Sequence, residues 1–372
     1  MALLAASRQI SGNVFAAAML EEQFTAMRTL HNRRPKRSES ALLIFHKLGI
    51  FDLARKINPN LLTVLNYHRI NDTFREDFDT FRPNVSATPS DFAAQMDYVS
   101  RKYNVISGTD LAAFIKGRHQ LPAHAAIITF DDGYYDNYCN AYPILKARNL
   151  PAIIFLATDF IGSHKPFFWD LIAYCFFHTK KEQAQFPLLG AQRWADRPTR
   201  GVVMQRLIEA LKKVSDMEKQ KIIEQLPQIL GVAVPGDAFK NLMMSWSNAK
   251  ELSENGIELG AHTASHPILT RISLADTSKE LLKSKGRIEA EIGKPVVSFA
   301  YPNGQSSDFN EDVVARVQQA GFEIAFTLLP GPTRRITVRK NPLTIRRIFL
   351  SYTDSFPRFA AKLTGLDRIP GR

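Results

Sequence analysis

Two adjacent carboxylates, Asp131 and Asp132, end the apolar run "AAIITFDDG", and two imidazoles stand four residues apart in "HTASHP" as His262 and His266. A carboxylate and two histidines from separate strand ends make a two-histidine, one-carboxylate set. Such a set holds a divalent metal on one side and leaves positions open for water and substrate. Successive residues of a strand point to opposite faces, so Asp131 and Asp132 have separate tasks. A lone Asp-Asp-Gly is equally what a helix cap followed by a permissive glycine turn would use. What separates the two readings is whether other strand ends carry matching chemistry.

From residue 61 onwards, short apolar runs of strand type recur at 61–68, 125–132, 151–158, 257–263, 296–302, 322–329 and 343–350. Helix-like segments at 89–101, 137–148, 248–255, 274–291 and 309–320 separate most of them. Alternation of this kind implies parallel strands joined by crossover helices. The fold class expected is α/β, a distorted (β/α) barrel of about seven parallel strands, with a helical insertion and a helical N-terminal extension. Chemistry in such folds gathers outside the carboxyl ends of the strands. Those ends carry Tyr67 and His68, Asp131 and Asp132, His262 with His266, and Tyr301 to Gly304.

The 372 residues suffice for a large core, and 45% apolar with 23% charged residues is ordinary for a globular protein. The two cysteines, Cys139 and Cys175, are too few for a disulfide framework. The net charge of +12 is uneven: residues 1–60 carry +5, residues 330–372 carry +8, and the rest is close to neutral. Basic ends around a neutral body fit an anionic membrane surface or a phosphorylated substrate better than a nucleic acid, for which no module is recognisable. Solvated basic faces explain the same numbers. Neither a secretory signal nor an apolar run of about 18 residues is present, which points to a cytoplasmic protein, with peripheral contact at the inner membrane as an option. The stretch 41–58 spaces Leu43, Phe45, Leu48, Phe51 and Leu53 as a basic amphipathic helix, for a membrane or for its own domain.

"TFDDG" (129–133), "HTASHP" (262–267) and "AYPNG" (300–304), in this order, resemble the first three motifs of the polysaccharide deacetylases with a NodB homology domain, carbohydrate esterase family 4. The resemblance covers about residues 61–350. "YHRI" (67–70) is similar to an element ahead of that domain in the exopolysaccharide and surface-glycan branch. The resemblance implies that Asp131 is the catalytic base and that Asp132, His262 and His266 bind metal. It further implies that Tyr301 offers its backbone N–H to the oxyanion and that Pro302 and Gly304 shape that loop beside the substrate. Zinc is the default ion; iron, cobalt or nickel suit the same ligands.

Two positions depart from the pattern. Where many members have Arg at the start of the third motif, this chain has Ala300; Arg346 and Arg347 are the substitutes at hand, and Arg347 is the one expected to face inward. No histidine follows His266, so the general acid falls to His68 or to Asp131 once protonated.

The interval 160–247 interrupts the alternation and reads as a helical insertion beside the site, with an amphipathic helix pair at 200–226. In it, Trp169 could stack on a sugar and Asp170 could bond a hydroxyl, although core packing is the commoner fate of such a cluster. The organisation expected is a basic helical extension (1–60), the deacetylase domain (61–350) and a basic amphipathic tail (351–372). The reaction expected is metal-dependent removal of N-acetyl groups from a bacterial polysaccharide or lipid-linked glycan. An inactive carbohydrate-binding member of the same fold is the alternative.

Overall fold

The computed structural model describes residues 37–75 and 77–367. Seven parallel strands close into a barrel: β1 (Leu61–Tyr67), β2 (Ala125–Phe130), β3 (Ile153–Leu156), β4 (Glu258–Ala261), β5 (Ser298–Ala300), β6 (Ile324–Pro330) and β7 (Ile345–Phe349). Their order around the barrel is β1-β7-β6-β5-β4-β3-β2, and β2 returns to β1 over five residue pairs from Thr63↔Ala126 to Tyr67↔Phe130. The barrel expected from the alternation is thus present. All seven apolar runs form its strands.

Side-chain alternation builds the interior. Leu62 and Val64 of β1, Ile127 of β2, Phe155 of β3, Phe326 of β6 and Ile345 of β7 share one apolar cluster, while Leu65, Tyr67, Ile128 and Phe130 pack outside with the helices. Continuing the inward series in steps of two reaches Asn66 on β1 and His68 just past its end, Thr129 on β2 and Asp131 just past its end, and Arg347 on β7. The barrel therefore changes from apolar to polar at its C-terminal end. Tyr67 belongs to the outer series, and its hydroxyl donates to Gln95.

Eight helices bear on the site and the surface around it: α1 (Arg37–Lys47), α2 (Ile50–Ile57), α3 (Pro89–Lys102), α4 (Phe168–His178), α5 (Arg197–Leu211), α6 (Asp216–Leu230), α7 (Leu274–Ile292) and α8 (Phe356–Thr364). The single helix expected at 41–58 is two, because Gly49 takes φ 72° and ends the first. Between β3 and β4, helices α4 and α5 are joined by an antiparallel hairpin, Gln183–Phe186 with Gly190–Arg193, which a purely helical reading of 160–247 did not anticipate. Its strands are four residues each and largely polar, too short to show a period. Among the described residues, no helix is long and apolar enough to cross a membrane.

Candidate active and metal site

The inward polar residues meet loop residues in a cavity of about 810 Å³, whose walls include His68, Asp131, Asp132, His262, His266 and Asn303. Asp131 is 1% exposed and receives both arms of the Arg347 guanidinium, Nη1 to Oδ1 at 2.7 Å and Nη2 to Oδ2 at 2.8 Å. Asn66 Nδ2 donates to the same Oδ2 at 3.0 Å. Arg347 is itself fully buried, and its Nε is held by the Thr327 carbonyl. Burial alone would raise the Asp131 carboxyl. The opposing charge of Arg347 and its hydrogen bonds outweigh burial and hold Asp131 well below the usual carboxylate range.

Asp132 follows directly but leaves the strand, with φ 77° turning its side chain away from the Arg347 pair. It sits with His262 and His266 so that one ligand atom from each lies within 4.8 Å of the others. Asp132 Oδ1 is 3.6 Å from His262 Nε2 and 3.5 Å from His266 Nε2, and the two imidazole nitrogens are 3.1 Å apart. A tetrahedral ion with ligands at roughly 2.0–2.1 Å has ligand–ligand edges of about 3.3–3.4 Å. The three separations bracket that value. Both Asp132 oxygens are buried without a hydrogen-bond partner, which a carboxylate sustains only beside a cation or as the neutral acid. The residues thus fit a divalent metal.

The supporting shell fixes the histidines. His262 Nδ1 donates to the Ala300 carbonyl at 2.7 Å, which leaves the Nε2 lone pair facing Asp132. The "HTASHP" loop is tied to α7: Glu280 accepts from the N–H groups of Ala264 and Ser265 at 2.8 Å each, and from Ser265 Oγ at 2.9 Å. Thr263 (φ 64°), His266 (φ 60°) and Asn303 (φ 57°) join Asp132 in the left-handed region. Four non-glycine residues there, around one cavity, mark a backbone bent to aim side chains and amides.

His68 Nε2 lies 4.0 Å from Asp131 Oδ2. Its main chain is clamped by Ser86 Oγ on the N–H and Asn137 Nδ2 on the carbonyl. Burial pushes its imidazole down to about 4, against the raising effect of Asp131. At neutral pH it is uncharged at rest.

Three expected roles are corrected. The Tyr301 N–H donates to the Phe326 carbonyl at 3.0 Å within the barrel, so it is not free for an oxyanion. Pro302 has no N–H, which makes Asn303 the next backbone donor along the loop, and Asn303 lines the cavity. Asp170 is fully buried; its oxygens accept the Phe81 N–H at 3.0 Å and the Tyr134 hydroxyl at 2.7 Å, so no oxygen is presented to a sugar hydroxyl. Trp169 borders the cavity but is 6% exposed, stacked on Phe167 at 4.6 Å, edge-on to His266 at 5.2 Å, and donates to Tyr134. It walls in His266 and is not an open platform for a sugar ring. In the loop that holds Pro302 and Gly304, the Leu328 N–H donates to the Gly304 carbonyl, and the cavity wall is supplied by Asn303 and Gln305.

A Cβ on Gly304 would lie 2.7 Å from the Leu328 nitrogen, and φ is 62° there. Gly304→Ala is therefore expected to lower the unfolding free energy by about 1–3 kcal/mol, measured by urea titration. Sequence reasoning also missed Asn66 and Asn303. Asn66 was within reach, since it precedes His68 by two residues on one strand. Asn303 had no signal, because its place in the cavity wall depends on how the loop folds.

The sequence model of the polysaccharide deacetylase family matches residues 118–325, more than half of the chain. The chain belongs to the polysaccharide deacetylase family. The matched span of this deacetylase contains both aspartates, both histidines and the Asn303 loop, while Asn66, His68 and Arg347 come from outside it. Among curated relatives, YxkH of Bacillus subtilis is 20% identical over 278 residues, 74% of this chain and 68% of that one. The poly-β-1,6-N-acetyl-D-glucosamine N-deacetylase of Staphylococcus epidermidis is 32% identical over 117 residues, 29% of this chain and 40% of that one. The chain's match thus spans under half the length of that relative. The fold is shared with Streptococcus pyogenes deacetylase PplD in complex with acetate, at TM-score 0.54 and 16% identity over 82% of this chain and 99% of that one.

Proposed function

We propose that this deacetylase uses one divalent metal, held by Asp132, His262 and His266, to remove N-acetyl groups from an amino-sugar glycan. The observation that carries the reading is the pair of unpartnered Asp132 oxygens facing two imidazoles, next to a carboxylate held ionised by Arg347. When bound, the ion supplies Lewis acidity, polarising the acyl carbonyl and lowering the pKa of water. Asp131, ionised and directed by Arg347 and Asn66, takes the proton of the attacking water. The Asn303 N–H steadies the developing oxyanion. The departing amine then needs a proton, and we assign its delivery to His68, whose Nε2 is 4.0 Å from Asp131 Oδ2. The likeness to the Staphylococcus epidermidis enzyme favours a β-1,6-linked N-acetylglucosamine polymer as substrate.

The test is acetate release from N-acetylglucosamine oligomers and lipid-linked N-acetyl sugars by zinc-loaded protein, beside Asp131→Asn. Release by the wild type only supports the reading. Release by neither, with one metal bound per chain, points to a glycan-binding protein without turnover. The metal itself is read by elemental analysis of protein purified without added ions; iron, cobalt or nickel in place of zinc would change the ion and not the ligands.

A proton donor is needed for an amine leaving group and far less for an acidic alcohol. His68→Gln is therefore expected to lower kcat by about 10²-fold on the amide and only slightly on an activated aryl acetate. Equal losses on both substrates would reduce His68 to packing beside Asp131.

A further inference from the structure

Helices α1 and α2 each bury one apolar position deeply, Leu42 at 3% and Phe51 at 1% exposed, and so already have the contact a surface helix needs to dock on its own domain. Yet the same two helices and the turn between them expose Leu43, Ile44, Leu48, Ile50, Leu53 and Ile57, at 44, 54, 69, 36, 57 and 69%. These are half of the large exposed hydrophobics among the described residues. Among the described residues nothing covers them, and six aliphatics exposed along one pair of helices and its turn are more than scattered surface residues.

The charges on this face have one sign. Its two acids are both taken: Glu39 by Arg358 and Ser355 of α8, and Asp52 by Lys102 and Arg55. Lys47 and Lys56 are exposed, and among the described residues neither is ion-paired. Beyond Ile57 the surface runs into a cavity of about 530 Å³ lined by Arg334, Arg335, Ile336 and Arg339, with Ile336 62% exposed. Aliphatic side chains flanked by unpaired cations match a layer of hydrocarbon under anionic headgroups.

The face also connects to the catalytic cavity. Tyr352 and Thr353 are part of the cavity wall, and Ser355 and Arg358, a few residues on, hold Glu39 at the start of α1. Leu43 is one helical turn from that anchor.

We infer that the α1–α2 face is a docking surface for an anionic phospholipid bilayer, seating the enzyme where lipid-linked or membrane-proximal glycan is found. The docking does not depend on the deacetylase reading, and its test reads binding, not activity. Full-length protein should sediment with vesicles of phosphatidylglycerol in phosphatidylcholine at low salt, and much less at high salt or with phosphatidylcholine alone. Lys47→Gln with Lys56→Gln should weaken binding about 30-fold, each basic residue near the surface being worth about 1 kcal/mol. Leu48→Glu with Leu53→Glu should weaken it by about 100-fold or more while leaving turnover of a soluble oligosaccharide unchanged. Leu48→Ser with Leu53→Ser gives the same loss without added charge. Absence of vesicle binding by the wild type, or equal binding by the leucine variants, overturns the inference. So does a wild-type dimer that the leucine variants convert to monomer, which would make a second copy the occupant. Protection of residues 1–36 from protease in the wild type, lost in the variants, would assign the face to that segment instead.

Discussion

Replacing Arg347 by methionine is expected to cost about 3–5 kcal/mol of folding stability, because it removes one partner of a buried ion pair and leaves the other behind. The remaining charge is Asp131, 1% exposed, whose other side-chain donor within hydrogen-bond distance, among the described residues, is Asn66 Nδ2. The sign of the pH effect is set by the direction of the Asp131 shift. Its folded pKa lies below the unfolded value, so the stability it contributes is present above about pH 3.9 and is lost only as pH falls through the lower, folded value. Without Arg347, burial dominates, the carboxyl rises, and the acid limb of kcat/KM moves to higher pH. Activity at neutral pH then falls with the fraction of ionised base. Urea titrations of wild type, Arg347→Met, Asp131→Asn and the double variant measure the coupling. The double variant should be less destabilised than the sum of the singles, since the orphaned charge is gone. Additive losses would mean that Arg347 acts only through its packing on Phe155, 5.7 Å away.

This pair also shows how far residue type and spacing reach. The third motif lacks an arginine at Ala300, yet β7 contains two adjacent arginines, and alternation requires one to face inward. Ile345, which packs inside, fixes the parity, so Arg347 faces Asp131 and Arg346 faces out. The strands, the parity of β1 and the metal-ligand pattern were legible for the same reason: each depends on residue type at a fixed local spacing. The fate of Tyr301 was not, because its N–H was counted as available without knowing that β6 lies beside it. Asp170 and Trp169 failed likewise. Burial and a partner at sequence distance, Phe81 and Tyr134, decide their role. The break at Gly49 was visible in the sequence as a glycine, but the apolar spacing on both sides continued through it and masked the turn.

Asp132→Asn should separate metal binding from folding. Without an ion, the buried and unpartnered Asp132 carboxylate is a liability, being desolvated and close to the Asp131 charge. The amide is nearly isosteric, uncharged and a far weaker ligand. Chelator-treated Asp132→Asn is therefore expected to melt at or above the temperature of chelator-treated wild type. Adding zinc at 100 times the dissociation constant stabilises the wild type by about 2.7 kcal/mol. The variant should show none of this, because its affinity falls by more than the roughly 10–100-fold that losing an outer-shell partner costs. Acetate release should fall on the order of 10⁴-fold, as both carbonyl polarisation and water activation go with the ion. Paired melting curves and zinc titrations check each part separately. A wild type that zinc does not stabilise would show that the cluster closes by sharing protons among Asp132, His262 and His266, and the deacetylase reading would then lose its metal. If zinc raises the melting temperature of both proteins equally, the ion binds elsewhere. Stabilisation of the wild type alone, together with loss of turnover, would tie the three ligands to the reaction while Asp131 and Arg347 stay in place.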